Sequence, residues 1–137
     1  MILKSKVNKK PLFCIEKFYR KKMIKERYDI TDENKFIQIS LLNLKNIKSS
    51  MPHMHLEIQK KTHISHEAWI VISGKLNVKF YDIDKSLVHE DILNKGDLSI
   101  LFQGGHKLEP LSKNTMIFEV KNGPYMGPKK EKEDFKI

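Results

Sequence analysis

From Glu67 to Lys121 the chain is a run of short apolar stretches, broken by turn residues about every ten positions. Glu67 to Ile72 and Leu76 to Asp82 flank Ser73-Gly74. Leu87 to Leu93 follows Asp82-Ile-Asp84, Leu98 to Phe102 follows Asn94-Lys-Gly-Asp97, and Thr115 to Lys121 closes the series. Stretches this short and this evenly punctuated leave no room for crossover helices. They predict one all-β domain, an antiparallel sandwich or a closed barrel. There is no βαβ rhythm, internal repeat or low-complexity linker. At 137 residues with 39% hydrophobic content, the chain can bury one core.

The N-terminal part is less decided. Apolar residues at 12, 15, 19 and 23 suit one stripe of a helix, while the Phe, Tyr, Ile and Cys content of Leu12 to Ile30 also suits a short strand. Thr31 to Asn34 reads as a turn, and Phe36 to Leu44 as an apolar strand. An exposed edge there would invite pairing with a second copy, so a homodimer is expected. A further strand is expected from Met51 to Ile58. The tail from Lys129 onward is mixed in charge and expected at the surface, which divides the chain into 1–30, 31–128 and 129–137.

The net charge of +9 is concentrated near the start. Residues 1–30 hold ten Lys/Arg against Glu16, Glu26 and Asp29, and the rest is nearly balanced. With no nucleic-acid-binding motif beside it, this charge reads as a solvated basic face, and nucleic acid is not an expected partner. No stretch is long and apolar enough to span a bilayer, and Met1 to Lys10 has no signal-type apolar region. Cys14, the single cysteine, excludes an internal disulfide framework. A cytoplasmic location is expected.

Chemistry concentrates in His53 and His55. On a strand, residues two apart project to one face, roughly 6.7 Å apart along the backbone. Neutral imidazole is the commonest metal ligand, and Glu67 and His106 would complete a mixed nitrogen and oxygen set. His66 neighbours Glu67 and so faces the other way; His89 sits on a polar strand. Both read as surface or hydrogen-bonding residues. Trp69 shares the face of Glu67 and suits either stacking against a flat ligand or core packing. No nucleophile–base arrangement or phosphate-cradling loop is present, and Cys14 has no activating neighbour.

Glu67 with Gly74 after six intervening residues, then Gly96-Asp97, then Gly104-Gly-His106, resembles the two motifs of the cupins, with His53 and His55 heading the first. The match extends to Arg27-Tyr-Asp-Ile-Thr31, Glu67-Ala-Trp69 and Lys121-Asn-Gly-Pro-Tyr125. It is closest to short bacterial cupins, some of them found with surface-polysaccharide biosynthesis genes. The resemblance implies a single-domain jelly-roll barrel. It also implies one divalent transition metal (Fe, Mn, Ni, Co or Zn) on His53, His55, Glu67 and His106. Eleven residues separate His55 from Glu67, more than the usual spacing, and His63 is the alternative first-motif ligand. Tyr125 as a substrate-binding residue and Glu119 as an acid or base follow from the resemblance and chemical type.

Cupins include isomerases, epimerases, dioxygenases and binding modules, so the motifs do not fix a reaction. Three functions are therefore expected in order. The first is a metal-dependent enzyme acting on a small polar molecule such as a nucleotide-linked sugar or sugar acid. The second is a non-catalytic module for a carbohydrate-like ligand or partner enzyme. The third is an adaptor using the basic N-terminal segment.

Overall fold

A computed structural model describes residues 1–18, 27–44 and 51–136. Alternation along the strands builds the molecule in layers. In β5 (Glu67–Ser73), Trp69 and Val71 point into one cluster with Leu12, Phe13, Val78 and Phe80, while Ala68 points into another with Cys14, Ile100 and Phe102. A strand with both faces buried lies inside a stack, and β5 is such a strand. It belongs to a five-stranded antiparallel sheet in the order β1 (Ile2–Lys4), β2 (Pro11–Glu16), β8 (Leu98–Leu101), β5, β10 (Met116–Lys121). Facing its inner side is a three-stranded sheet in the order β7 (Leu87–Asn94), β6 (Lys75–Tyr81), β9 (Gly105–Pro110). On the outer side, Ile30, Ile37 and Ile39 pack against the second cluster, beside a ribbon of β3 (Arg27–Asp29) and β4 (Ser40–Leu42).

The chain is therefore all-β and antiparallel, and none of its sheets closes on itself among the described residues. Glycines mark the corners where it changes sheet. β5 and β6 do not pair with each other; the chain turns at Gly74, where φ is +72° and a Cβ would lie 2.4 Å from Ser112 Oγ. At Gly104, between β8 and β9, a Cβ would meet the Tyr81 carbonyl oxygen at 2.4 Å. Both positions need a residue without a side chain.

Two expectations are corrected. Residues 51–63 form no strand, although Met51 to Ile58 was expected to be one. Strand Phe36–Leu44 shrinks to Ser40–Leu42, and Ile37 and Ile39 ahead of it pack with the second cluster. The basic first thirty residues supply β1 and β2, and Leu12, Phe13 and Ile15 join the main core; residues 19–26 lie outside those described. A buried carboxylate ties this end down: Asp82 accepts hydrogen bonds from Ser5 Oγ at 2.5 Å and from the Lys6 amide at 2.7 Å. The C-terminal residues form a short helix α1 (Pro128–Glu131) and then pin themselves by a 2.8 Å Lys85–Glu133 ion pair and the Phe135 ring against Tyr81.

Cys14 is 1% exposed, and burial pushes its thiol up to about 11. At pH 8 only about a thousandth would be thiolate, the reactive form. Native protein should therefore resist a thiol reagent such as Ellman's at pH 8 and react fully once unfolded in guanidinium.

Candidate functional site

Register brings the polar residues together. Paired strand residues share a face. Across the five-stranded sheet, Glu67 stands between Leu101 and Lys121, and Trp69 between Ser99 and Glu119. Across the opposite sheet, Phe80 stands between His106 and His89. Glu67 and His106, far apart in sequence, thus approach from two facing sheets.

The Glu67 Oε2 to His106 Nε2 distance is 3.5 Å, a close approach rather than a hydrogen bond. Lys121 Nζ lies 2.6 Å from Glu67 Oε1 and 4.9 Å from the centre of the Tyr125 ring. The Trp69 ring is tilted against the His106 imidazole with centres 4.4 Å apart, and its Nε1 donates to Glu119 Oε2 at 3.0 Å. Glu67 is nearly buried, whereas His106 and Lys121 keep part of their surface in solvent. Burial holds the His106 imidazole below its ordinary value, with Glu67 and Glu119 opposing but not reversing the shift. Its neutral form, the one that binds metals and accepts protons, is therefore favoured. The Glu67 carboxylate raises Lys121, against the pull of burial, and keeps it cationic.

Two donors bound to one ion at about 2.1 Å each stand about 3.0 Å apart at right angles and about 3.4 Å apart at the tetrahedral angle. The Glu67–His106 gap fits such a pair. The other two expected ligands are elsewhere. His53 and His55 lie in the exposed stretch 51–63, their rings 5.4 Å apart, and His53 Nδ1 contacts the Met51 carbonyl oxygen at 3.0 Å. His63 is also exposed and meets the edge of Phe36. Among the described residues no three His, Cys, Asp or Glu side chains are gathered closely enough to hold a metal ion. One chain therefore supplies half of the expected ligand set.

The remaining assignments divide. Trp69 is completely buried, so it backs His106 rather than presenting a face to solvent. Tyr125 is 56% exposed beside Lys121 and offers an open aromatic face. Asp97, adjoining Gly96, is fully buried; its carboxylate accepts the amides of Phe18 and Asn94, each at 2.9 Å. His66 is buried between Phe36 and Phe102, not on the surface. His89 stacks on Phe13, with Nε2 buried and without a hydrogen-bond partner among the described residues.

Sequence reasoning missed Lys121 as a site residue. Alternation from Glu119 puts it on the inner face, but its pairing with Glu67 depends on a register that β10 does not encode alone. A cleft of about 440 Å³ on the outer side of β6 and β7, lined by Asn77, Glu90, Asp91, Ile92 and Leu111, contains none of these residues. Among the described residues, no helix is long and apolar enough to cross a membrane. Compared with known proteins, the chain matches no family model, no curated protein and no solved structure.

Proposed function

We propose that the chain is a metal-dependent enzyme of cupin type, with a jelly-roll arrangement of its facing sheets, acting on a small polar molecule such as a nucleotide-linked sugar or sugar acid. The observation that carries this is the approach of Glu67 and a neutral His106 to 3.5 Å from opposite sheets. Those are two of the four residues that the motif resemblance assigns as ligands. His53 and His55 complete the set when residues 53–58 are brought to it. A bound divalent transition metal would supply Lewis acidity and open positions for a ligand oxygen.

The chain's own groups do the rest. Lys121 presents a cation to an anionic or hydroxyl-rich ligand. Tyr125 offers a face for a sugar ring. Glu119, held by the Trp69 indole, is the carboxylate placed to take up or return a proton.

A non-catalytic carbohydrate-binding module is the second reading, favoured by the exposed ring of Tyr125 set beside the Lys121 cation. An adaptor role for the basic N-terminal segment has less support, since β1 and β2 are built into the five-stranded sheet.

Elemental analysis of purified protein should find close to one transition-metal ion per chain. His106→Ala should lose most of it, and His63→Ala should keep it. Metal-loaded protein is then offered nucleotide sugars, sugar acids and small keto compounds, with and without oxygen. Conversion of one class supports the enzyme; binding without conversion of any leaves the module. Metal-free protein that cannot be loaded overturns the enzyme reading.

A further inference from the structure

The stretch carrying His53 and His55 has the pattern of a strand without a strand's neighbours. Met54, Leu56 and Ile58 alternate with His53, His55 and Glu57, yet those three apolar side chains are 91%, 85% and 66% exposed. A three-residue apolar row left in water opposes folding unless something covers it. A matching row exists. β10 ends the five-stranded sheet and pairs only with β5 among the described residues; its outward residues Met116, Phe118 and Val120 are all exposed. Its inward residues at the same end are Glu119 and Lys121, the latter in contact with Glu67.

We infer that residues 53–58 of one chain add as an antiparallel strand to the β10 edge of a second copy, and that each site receives His53 and His55 from the partner chain. In the register that sets Leu56 beside Phe118, Met54 meets Val120 and Ile58 meets Met116, so the two apolar rows cover each other. The same register sets His53 beside Lys121 and His55 beside Glu119, on the side of Glu67. Added strands lie about 4.8 Å from the edge they join. An uncovered apolar edge strand is the usual place for such an addition. The stretch is free of its own chain's sheets, and two-fold exchange satisfies both copies at once. The histidines' role on arrival rests on the metal site proposed above; the exchange itself does not.

The test mixes two full-length variants, His106→Ala and the double variant His53→Ala/His55→Ala, co-expressed with different tags and purified through both. Exchange rebuilds one intact site per mixed dimer, so metal should recover to about half the wild-type content per chain, while each variant alone stays nearly empty. A second pair, Leu56→Cys on one chain and Phe118→Cys on the other, should give a covalent dimer under oxidation in the mixture. Neither variant alone should do so. A monomeric wild-type mass, a mixed dimer as empty as its parents beside a loaded wild type, or no cross-link in the mixture would overturn the exchange. If the wild type binds no metal, the proposed site fails, and mass and cross-link alone decide the exchange.

Discussion

Replacing Trp69 with alanine is expected to lower folding stability by about 3–5 kcal/mol, the usual range for removing a large aromatic from a core. The ring is 0% exposed, packs with Leu12, Phe13, Ile15 and Val71, and lies against His106. Trp69→Phe keeps most of the bulk and removes the Nε1 bond to Glu119; its expected cost is about 1 kcal/mol, that of one hydrogen bond to a charged acceptor near solvent. Urea titrations of the two variants at neutral pH measure both figures. A destabilisation below 1 kcal/mol for the alanine variant would show that the ring is not a core element.

The second large effect depends on acidity. Burial, then the charges of Lys35 and His63, depresses His66 from its ordinary 6.5 to about 4. Between those values the unfolded chain takes up a proton that the folded chain refuses. The contribution of this group to stability should therefore begin to fall as pH drops through 6.5 and reach a loss of at most about 3 kcal/mol by pH 4. The packing explains the refusal: the ring sits between Phe36 and Phe102, and its Nδ1 is buried with no hydrogen-bond partner among the described residues. His66→Leu should flatten this part of the profile. Denaturant midpoints measured from pH 7.5 to 4 for both proteins make the comparison, and an equal acid slope in the variant would assign the loss to another group.

Strands β5, β6, β7, β8 and β10 were legible because each is a short, largely apolar run ended by Gly, Asp or Asn on at least one side. β9 was not, since Gly105-His-Lys-Leu-Glu-Pro110 is mostly polar and becomes a strand through its pairing with β6. The first strands were obscured differently: Leu12 to Ile15 are buried on both faces, which removes the alternation that would have separated strand from helix. At the site, Glu67 and His106 were readable from motif spacing, and the structure brings them together. Lys121 was hidden because cross-strand register belongs to two segments at once. Met51 to Ile58 shows the opposite failure. Its alternation suggested a strand, but alternation records only what a segment can pair with, and among the described residues no strand pairs with it.

The strand order also sets a timetable for a chain emerging from the ribosome. β2 is held in the sheet by β8, with Cys14 opposite Ile100, so this apolar run meets that neighbour only after β3 to β7 have been synthesised. Leu12, Phe13, Cys14 and Ile15 must wait through that interval without their core. Topologies dominated by such distant pairings fold slowly, and exposed β-forming runs are where nascent chains associate wrongly. The dense lysines on either side of this run, at 4, 6, 9, 10 and 17, are charges of the kind that keep such segments apart.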